Sequence, residues 1–184
     1  MKSINSALRR MLRQHEPYPA IVMDRYWNVL ITNEATPKFF NCFIDMSARQ
    51  GRRNLLHLMF DPAGMRPFIA NWPEAARSLI ARVHREALGH IIDVNTKRLL
   101  DELSKYTGVE PEWRTPTPAD TVPVIPLAFT KGGVTLNYFS MITTVGTPQT
   151  VAAEEMRIEC MYSADDLTEE AHARFVQDHS PPRA

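Results

Sequence analysis

The overall composition of this 184-residue chain, 44% hydrophobic and 23% charged, indicates a single globular domain that can bury a sizeable core. Its 21 Lys and Arg balance its 21 Asp and Glu, so no net charge draws it to nucleic acid or to an acidic membrane surface. Cys42 and Cys160 each lie in an apolar neighbourhood, which predicts two buried thiols and no disulfide framework or metal knuckle. The sequence contains neither the roughly 18-residue apolar run of a membrane span nor the apolar core of a secretory signal. We therefore expect a cytoplasmic protein in a reducing compartment.

The segment from Lys2 to His15 is predicted to form a basic amphipathic helix, because its apolar residues share one helical face and it contains no acid. The apolar residues are Ile4, Leu8, Met11 and Leu12, and the basic ones are Lys2, Arg9, Arg10 and Arg13. Mitochondrial transit peptides share this composition. Because the segment leads directly into strand-like sequence, we favour a connecting or dimer-forming helix.

Two short strands are predicted after this helix, at Ala20–Asp24 and Trp27–Thr32. Alternation in the second strand predicts one buried face, made by Trp27, Val29 and Ile31. Asn33 is a favourable N-cap for the short helix that follows. That helix carries Phe39, Phe40 and Phe43.

A block of helices is predicted in the middle of the chain. A polar, basic loop is expected at Ser47–Arg53, before an apolar segment at Leu55–Phe60. The most regular helix begins at Trp72 and ends before Gly89, with an apolar face of Ala76, Leu79, Ile80, Val83 and Ala87. Its opposite face is expected to be solvated and carries Glu74, Arg77, Arg82 and Arg85. A second helix, from about Asn95 to Tyr106, has an inward stripe of Leu99, Leu100 and Leu103.

The C-terminal part is predicted to be rich in strands. The proline-rich stretch Glu110–Pro126 is expected to be irregular and could form a lid. Strands follow at Val124–Thr130, Val134–Thr144 and Glu155–Tyr162, with a hairpin at Gly132 and Gly133. In the last strand Met156, Ile158, Cys160 and Tyr162 alternate with Arg157, Glu159 and Met161, as expected where one sheet face is dry. A helix from about Ala164 to Val176 and a disordered tail, Ser180–Ala184, complete the chain.

The order of these elements predicts an α+β fold, a five-stranded antiparallel sheet with helices packed on one face and an additional N-terminal helix. The space between sheet and helices is the expected place for a cavity. We assign residues 1–16 to the connecting helix, 17–178 to a ligand-binding domain and 179–184 to the tail.

The sequence contains no arrangement typical of catalysis or metal binding. His84 and His90 lie six residues apart and His172 and His179 seven, and neither spacing stacks two imidazoles on one helical face. The paired acids, Glu154 with Glu155 and Asp165 with Asp166, are better explained by strand alternation and helix-dipole complementation. We therefore expect neither an enzyme nor a metal site or cofactor. An enzyme on this scaffold would need a polar or charged group inside the cavity, and the apolar alternation of the strands leaves little room for one.

Several motifs, in their order and spacing, resemble one known family. They are the run NLLHLMFDP at Asn54–Pro62, then Arg66, and Trp72 with Glu74, Ala76 and Arg77. Further matches are Pro19, Ala20, Asn33, Leu103, Ser104 and Trp113. Over roughly residues 17–162 the chain resembles the MmyB-like ligand-binding domain, in which a PAS-like fold follows a helix-turn-helix of the Xre type.

The resemblance implies a sensor that holds a small, largely apolar molecule, with a fatty-acyl-like one as a candidate, between sheet and helices. Nine Met and sixteen aromatic residues (eight Phe, three Trp and five Tyr) could reshape around such a guest, but a domain of this size also needs them for its own core. The candidate wall comprises Phe39, Phe43, Leu55, Met59, Phe60, Phe68, Trp72, Leu79, Val83, Leu103, Trp113, Tyr138 and Met141. For each of them, simple core packing is an equal alternative.

Two residues of this region could bind polar groups of the ligand. Arg66 could clamp a carboxylate at the pocket mouth, the alternative being an ordinary ion pair or helix cap. Trp72 could donate its indole N–H to a ligand or simply anchor its helix.

The leading hypothesis is a ligand-responsive effector domain of a transcription regulator, whose N-terminal helix passes the change to an attached DNA-binding dimer. The alternative is a dimerisation or protein-interaction module with a fully packed interior. Because no helix-turn-helix precedes residue 17, either the chain is an excised effector domain or it senses without binding DNA itself. The expected partners are a small apolar ligand and a second copy of the chain, with no membrane contact.

Overall fold

The computed structural model describes residues 2–51, 53–88, 93–115, 124–145 and 156–179. In chain order the elements are α1 (Lys2–Gln14), β1 (Ala20–Met23), β2 (Val29–Thr32), α2 (Ala35–Asn41), α3 (Leu55–Phe60), α4 (Trp72–Leu88), α5 (Val94–Leu103), β3 (Ile125–Lys131), β4 (Val134–Val145), β5 (Met156–Ser163) and α6 (Asp166–His179). Short 3-10 turns lie at Arg66–Phe68 and Pro111–Arg114. The predictions for Gly89, His90, Glu154, Glu155, the tail from Ser180 and residues 116–123 of the proline-rich stretch fall outside the described residues.

The strands form one antiparallel sheet in the order β2-β1-β5-β4-β3. Gly132 and Gly133 both have positive φ, as the tight turn between β3 and β4 requires. In chain order helices α2 to α5 lie between β2 and β3. We call the sheet face that they cover the inner face. The predicted α+β architecture, with five antiparallel strands and helices on one face, is confirmed.

The orientation of β5 contradicts the expectation of an interior without charge. Arg157, Glu159 and Met161 point to the inner face: Arg157 bonds Glu86 of α4, and Met161 joins the main core. The apolar residues Ile158 and Cys160 point to the outer face. Alternation separates the two sets of side chains but does not say which set faces the helices. Here the charged set lies inside because α4 supplies charged partners for it.

Strand β2 also departs from the predicted alternation. A bulge shifts the register between Val22 and Met23, so Val29 packs against the main core while Ile31 packs with the outer-face residues. At the bulge β2 has one residue more than the paired part of β1. Side chains two positions apart on either side of it therefore point to opposite faces of the sheet. The expectation that Trp27, Val29 and Ile31 share one buried face is therefore wrong.

Helix α4 lies close to its predicted span but buries one residue that was assigned to solvent. Glu74, Arg77 and Arg85 are exposed as expected, whereas Arg82 is only 5% exposed. Arg82 and Glu86 are four residues apart and share a helix face. Because that face turns toward the charged side of β5, Arg82 belongs to the interior.

Helix α1 packs on the outer face of the sheet. Leu8 and Leu12 are buried against Ala20, Val22 and Ile158. The two other apolar residues of the predicted stripe, Ile4 and Met11, are about half exposed, at 47% and 50%. The helix therefore uses half of its apolar face to cover β1 and β5.

Candidate ligand-binding site

The main core, between the sheet and its covering helices, contains a small cavity of about 20 Å³. Its lining is Pro19, Ile21, Phe40, Leu55, Met59, Leu79, Ile125, Leu127, Phe129, Glu159 and Met161. A space of this size holds about one water molecule. The hollow interior predicted from the sequence is therefore nearly filled by the chain's own side chains in this structure.

A larger groove opens from the surface toward the same cavity. It has a volume of about 330 Å³ and is bounded by β1, β2, α2, α3 and the loop before α3. Its apolar lining is Ile21, Val29, Pro37, Phe40, Met46, Leu55 and Leu58, and its polar lining is Thr32, Thr36, Ser47, Arg49, Gln50, Gly51, Arg53, Asn54 and His57. Small-molecule sites begin at about this volume, roughly 300 Å³. Ile21, Phe40 and Leu55 line both spaces, so the groove and the cavity meet at these side chains.

Two asparagines fix the walls of the groove. Asn33 Oδ1 accepts hydrogen bonds from the Ala20 and Thr36 backbone N–H groups, at 3.1 Å each, and so ties the start of α2 to β1. Asn54 Oδ1 accepts from His57 N and caps α3, while its Nδ2 donates to Tyr26 O at 2.8 Å. The capping role predicted for Asn33 is confirmed by the bond to Thr36.

The rim of the groove is basic. Arg49 Nη2 lies 2.7 Å from Asp61 Oδ2, and Arg49 Nη1 donates to Ala63 O. Although burial alone would raise the pKa of Asp61, the hydrogen bonds from Arg49 and the Ala63 N–H hold it below its ordinary value. Arg53 is exposed, and its carbonyl accepts from Val29 N at 2.7 Å, which places it beside β2. The rim can therefore present a cationic group to an acidic molecule.

Behind the cavity lies a cluster of charged side chains that joins α4 to β5. Arg157 donates to Glu86, and Glu159 Oε1 accepts from Ser140 Oγ. Burial raises the pKa of Glu86, partly offset by the positive charges of Arg157 and Arg82. Burial also raises the pKa of Glu159, while Ser140 and Arg82 act in the opposite direction. Sequence reasoning missed this cluster, although the spacing of Arg82 and Glu86 and the charges at alternate positions of β5 were signals for it.

The predicted wall residues fall into four groups. Leu55, Met59 and Leu79 line the interior cavity. Others are packed in the same core without lining either space: Phe39, Phe43, Phe60, Val83, Leu103 and Tyr138. Trp72 also belongs to this core, at 8% exposed, whereas Phe68 and Trp113 are partly buried at its edge. Met141 is 46% exposed on the outer face, across the sheet from the cavity.

Tyr138 has its own polar partner inside the core. Its hydroxyl lies 2.7 Å from Nδ1 of His172, whose Nε2 lies 3.1 Å from Pro17 O. Burial lowers the pKa of His172, so the neutral imidazole can accept from Tyr138 and donate to Pro17. The phenol is thus fully used in holding α6 to the sheet.

Arg66 lies outside both the cavity and the groove. Its guanidinium carbon is 4.1 Å from the centroid of the Trp72 ring, and a side chain at Gly108 would collide with Nη2. The Trp72 indole N–H donates to Met59 O at 3.4 Å, in agreement with the anchoring alternative. The carboxylate-clamp role of Arg66 stays a prediction.

Neither metal-binding clusters nor membrane-spanning helices are found in the described parts of the chain. There, no three His, Cys, Asp or Glu side chains converge as they would around a metal ion. The described helices also include none with the length and apolar character needed to span a bilayer. Within the described part of the chain Cys42 and Cys160 form no disulfide; Cys42 is buried as predicted, whereas Cys160 is only half-buried.

Together, the strand order, the covering helices and the groove define an α+β domain with a five-stranded antiparallel sheet and a surface groove beside its apolar interior. The family model of the MmyB-like transcription regulator ligand binding domain matches residues 4–174, and the chain belongs to this family.

Two solved structures are similar to the chain. The PAS domain of BvgS from Bordetella pertussis is 15% identical, with 96% of this chain and 97% of that chain covered and a TM-score of 0.42. The PAS domain of an HTR-like protein from Haloarcula marismortui is 11% identical, with 88% and 93% covered and a TM-score of 0.36. No curated protein sequence matches the chain.

Proposed function

We propose that this domain binds a small, largely apolar molecule with an acidic head group, of the fatty-acyl type, and regulates transcription through an attached DNA-binding domain. The observation that carries the proposal is that the groove and the interior cavity share Ile21, Phe40 and Leu55 in their linings, so only these side chains lie between the two spaces. An aliphatic chain entering the groove would meet apolar side chains along this path. The family to which the chain belongs supports the regulatory part of the proposal.

Binding requires the interior to widen. The groove alone has the volume of a small site, whereas the cavity has room for about one water molecule. Met46 and Met59 line the two spaces, and unbranched methionines adapt their shape at low cost. The ligand therefore selects a more open arrangement of these side chains.

The basic rim gives the ligand its orientation. Arg49 is already engaged by Asp61, so Arg53 is the better candidate for contact with an acidic head group. With the head group at the rim, the aliphatic part points toward Ile21 and the interior cavity. An exposed arginine contributes more to orientation than to affinity because solvent screens its charge.

Strand β1 offers a direct path from the ligand to α1. Ile21 lines the groove and the cavity, while its neighbours Ala20 and Val22 pack on the opposite face against Leu8 and Leu12. A guest that displaces Ile21 acts on a strand whose other side supports α1. Coupling to an attached DNA-binding dimer then requires that α1 packs differently in the liganded state.

The proposal is tested by measuring thermal unfolding and native mass spectra with a series of plain fatty acids. We expect a saturable rise in Tm, since a ligand at 100 times its Kd stabilises a protein by about 2.7 kcal/mol. Met46→Trp should fill the groove and abolish the shift. The control Met141→Trp makes the same change on the outer face and should leave it intact. Absence of any shift in the wild type, with no copurifying small molecule, would refute the binding of plain fatty acids.

The alternative, a dimerisation or protein-interaction module, is favoured by one specific observation, the nearly filled interior. It predicts concentration-dependent association without any ligand-induced change in Tm. Sedimentation equilibrium over a wide concentration range, with and without a fatty acid, separates the two functions.

A further inference from the structure

The interior cavity contains one feature that a plain hydrocarbon tail does not satisfy. Among the described residues that line it, Glu159 is the only one with a polar side chain, and the other lining residues are apolar. Glu159 is 6% exposed, and its Oε1 accepts from Ser140 Oγ. Its second oxygen, Oε2, has no hydrogen-bond partner within the described part of the chain.

The neighbouring charges act on Glu159 without a hydrogen bond to Oε2. Arg157 donates to Glu86 of α4, and the charges of Arg82 and Glu86 act on Glu159 with opposite signs. A buried carboxyl oxygen without a partner costs free energy, and such groups in folded proteins call for a specific explanation. The position of Glu159 in the cavity lining provides one, because a bound molecule can supply the missing donor.

We infer that the ligand carries a hydrogen-bond donor, a hydroxyl or an amide N–H, on its buried part and donates it to Glu159 Oε2. This inference rests on the proposed function, since it concerns the molecule that enters through the groove. It narrows the ligand class from fatty acids in general to hydroxylated or amide-bearing aliphatic acids. Glu159 is then the residue that determines specificity, and Ser140 positions it.

Selectivity for such a donor has a physical basis. A site built to hydrogen-bond a ligand hydroxyl discriminates strongly against the analogue that lacks it, because the buried polar group is left unpaired. A plain chain packed into the cavity would leave Oε2 without a partner. A chain with a hydroxyl near its end would pair it.

The test uses ω-hydroxy fatty acids of increasing chain length, each paired with the plain fatty acid of the same length, in titration calorimetry. For the length that reaches Glu159, we expect the hydroxy acid to bind the wild type about tenfold or more tightly than the plain acid. Glu159→Leu should remove this preference. Leu79→Val, a matched change in the apolar lining of the same cavity, should alter both affinities by a similar factor and keep the preference.

A second measurement is made on the wild-type protein and needs the near-isosteric Glu159→Gln variant only to assign one resonance. In wild-type protein labelled with ¹³C at the glutamate carboxyl, the resonance that Glu159→Gln removes should shift with the hydroxy acid and not with the plain acid of equal length.

Failure of this inference is distinct from failure of the proposed function. If neither class of acid binds, the proposed function fails and the inference fails with it. If both classes bind with equal affinity at every length, or if the preference survives Glu159→Leu, the proposed function stands and the role of Glu159 is overturned. Identical shifts of the Glu159 carboxyl resonance with both classes would overturn that role as well.

Discussion

The two faces of the sheet differ in a way that the residue types alone do not suggest. The inner face carries Arg157 and Glu159 among its buried residues, whereas the outer face exposes Met141 and Tyr162, at 46% and 38%. The charged side chains of β5 are buried on the inner face because α4 supplies partners for them. Apolar side chains remain exposed on the outer face because α1 covers only part of it. Burial is therefore decided by available partners as much as by hydrophobicity.

This difference also separates two kinds of binding surface. The inner face leads to a small cavity with one acid among apolar side chains, which suits a small guest of mixed character. The uncovered part of the outer face is broad and carries Phe139 stacked on Tyr162, with centroids 5.3 Å apart. A surface of that kind suits a flat partner such as a second copy of the chain.

The largest expected effect comes from breaking the charged cluster on the inner face. Arg157→Met removes the hydrogen-bonded partner of Glu86 and leaves this mostly buried carboxylate with only the weaker opposing charges of Arg82 and Arg85. We expect the free energy of unfolding to fall by about 3–5 kcal/mol, measured by urea denaturation near neutral pH. The double variant with Glu86→Met should recover most of this loss, because it replaces the pair with apolar side chains of similar size.

The pH dependence of the Arg157→Met variant provides a further check. Burial already raises the pKa of Glu86, and loss of Arg157 removes the main opposing charge. A carboxyl whose folded-state pKa is raised binds more protons in the native state than in the unfolded state. The resulting loss in the free energy of unfolding is absent below the ordinary pKa of 4.5 and grows as the pH rises through the raised pKa. The stability deficit should therefore shrink as the pH falls toward 4.5. A deficit below about 1 kcal/mol at neutral pH would show that the pair contributes little.

The next effect tests whether α1 is part of the folded unit. Leu8 is 1% exposed and packs on β1, so Leu8→Ala should cost about 3 kcal/mol by lost burial and cavity formation. Met11 lies on the same helix but is half exposed, and Met11→Ala should change stability by no more than about 0.5 kcal/mol. Chemical denaturation followed by circular dichroism measures both. Equal small effects would mean that α1 is only loosely attached to the sheet.

Most of the architecture could be predicted from the sequence because it depends on local patterns. The apolar period of α4, the double glycine between β3 and β4 and the capping role of Asn33 each specify an element without knowledge of its neighbours. The positions of Arg82 and Glu159 could not be predicted in this way. Their burial depends on α4 packing across β5, a contact between segments about 70 residues apart in the chain.

Only part of the candidate site could be predicted, because local patterns do not fix contacts between distant segments of the chain. Leu55, Met59 and Leu79 lie in apolar runs and do line the cavity, whereas Met141 lies in an equally apolar run on the opposite face. A strand pattern fixes which residues share a face and leaves the choice of face to the tertiary structure. The groove depends on a bulge in the β1–β2 pair, which the sequence did not indicate, and on a polar loop that was expected only to be exposed to solvent.

The variant with the smallest expected effect on stability tests whether the outer face joins two copies of the chain. Met141→Ser removes an exposed apolar side chain and should change the free energy of unfolding by no more than about 0.5 kcal/mol, because solvent already reaches the site. If the uncovered outer face joins two copies of the chain, the same variant should shift sedimentation equilibrium toward monomer. An unchanged monomer–dimer equilibrium would place any self-association elsewhere. The inner face would then remain the better supported binding surface, because its groove and its buried acid do not depend on a second copy.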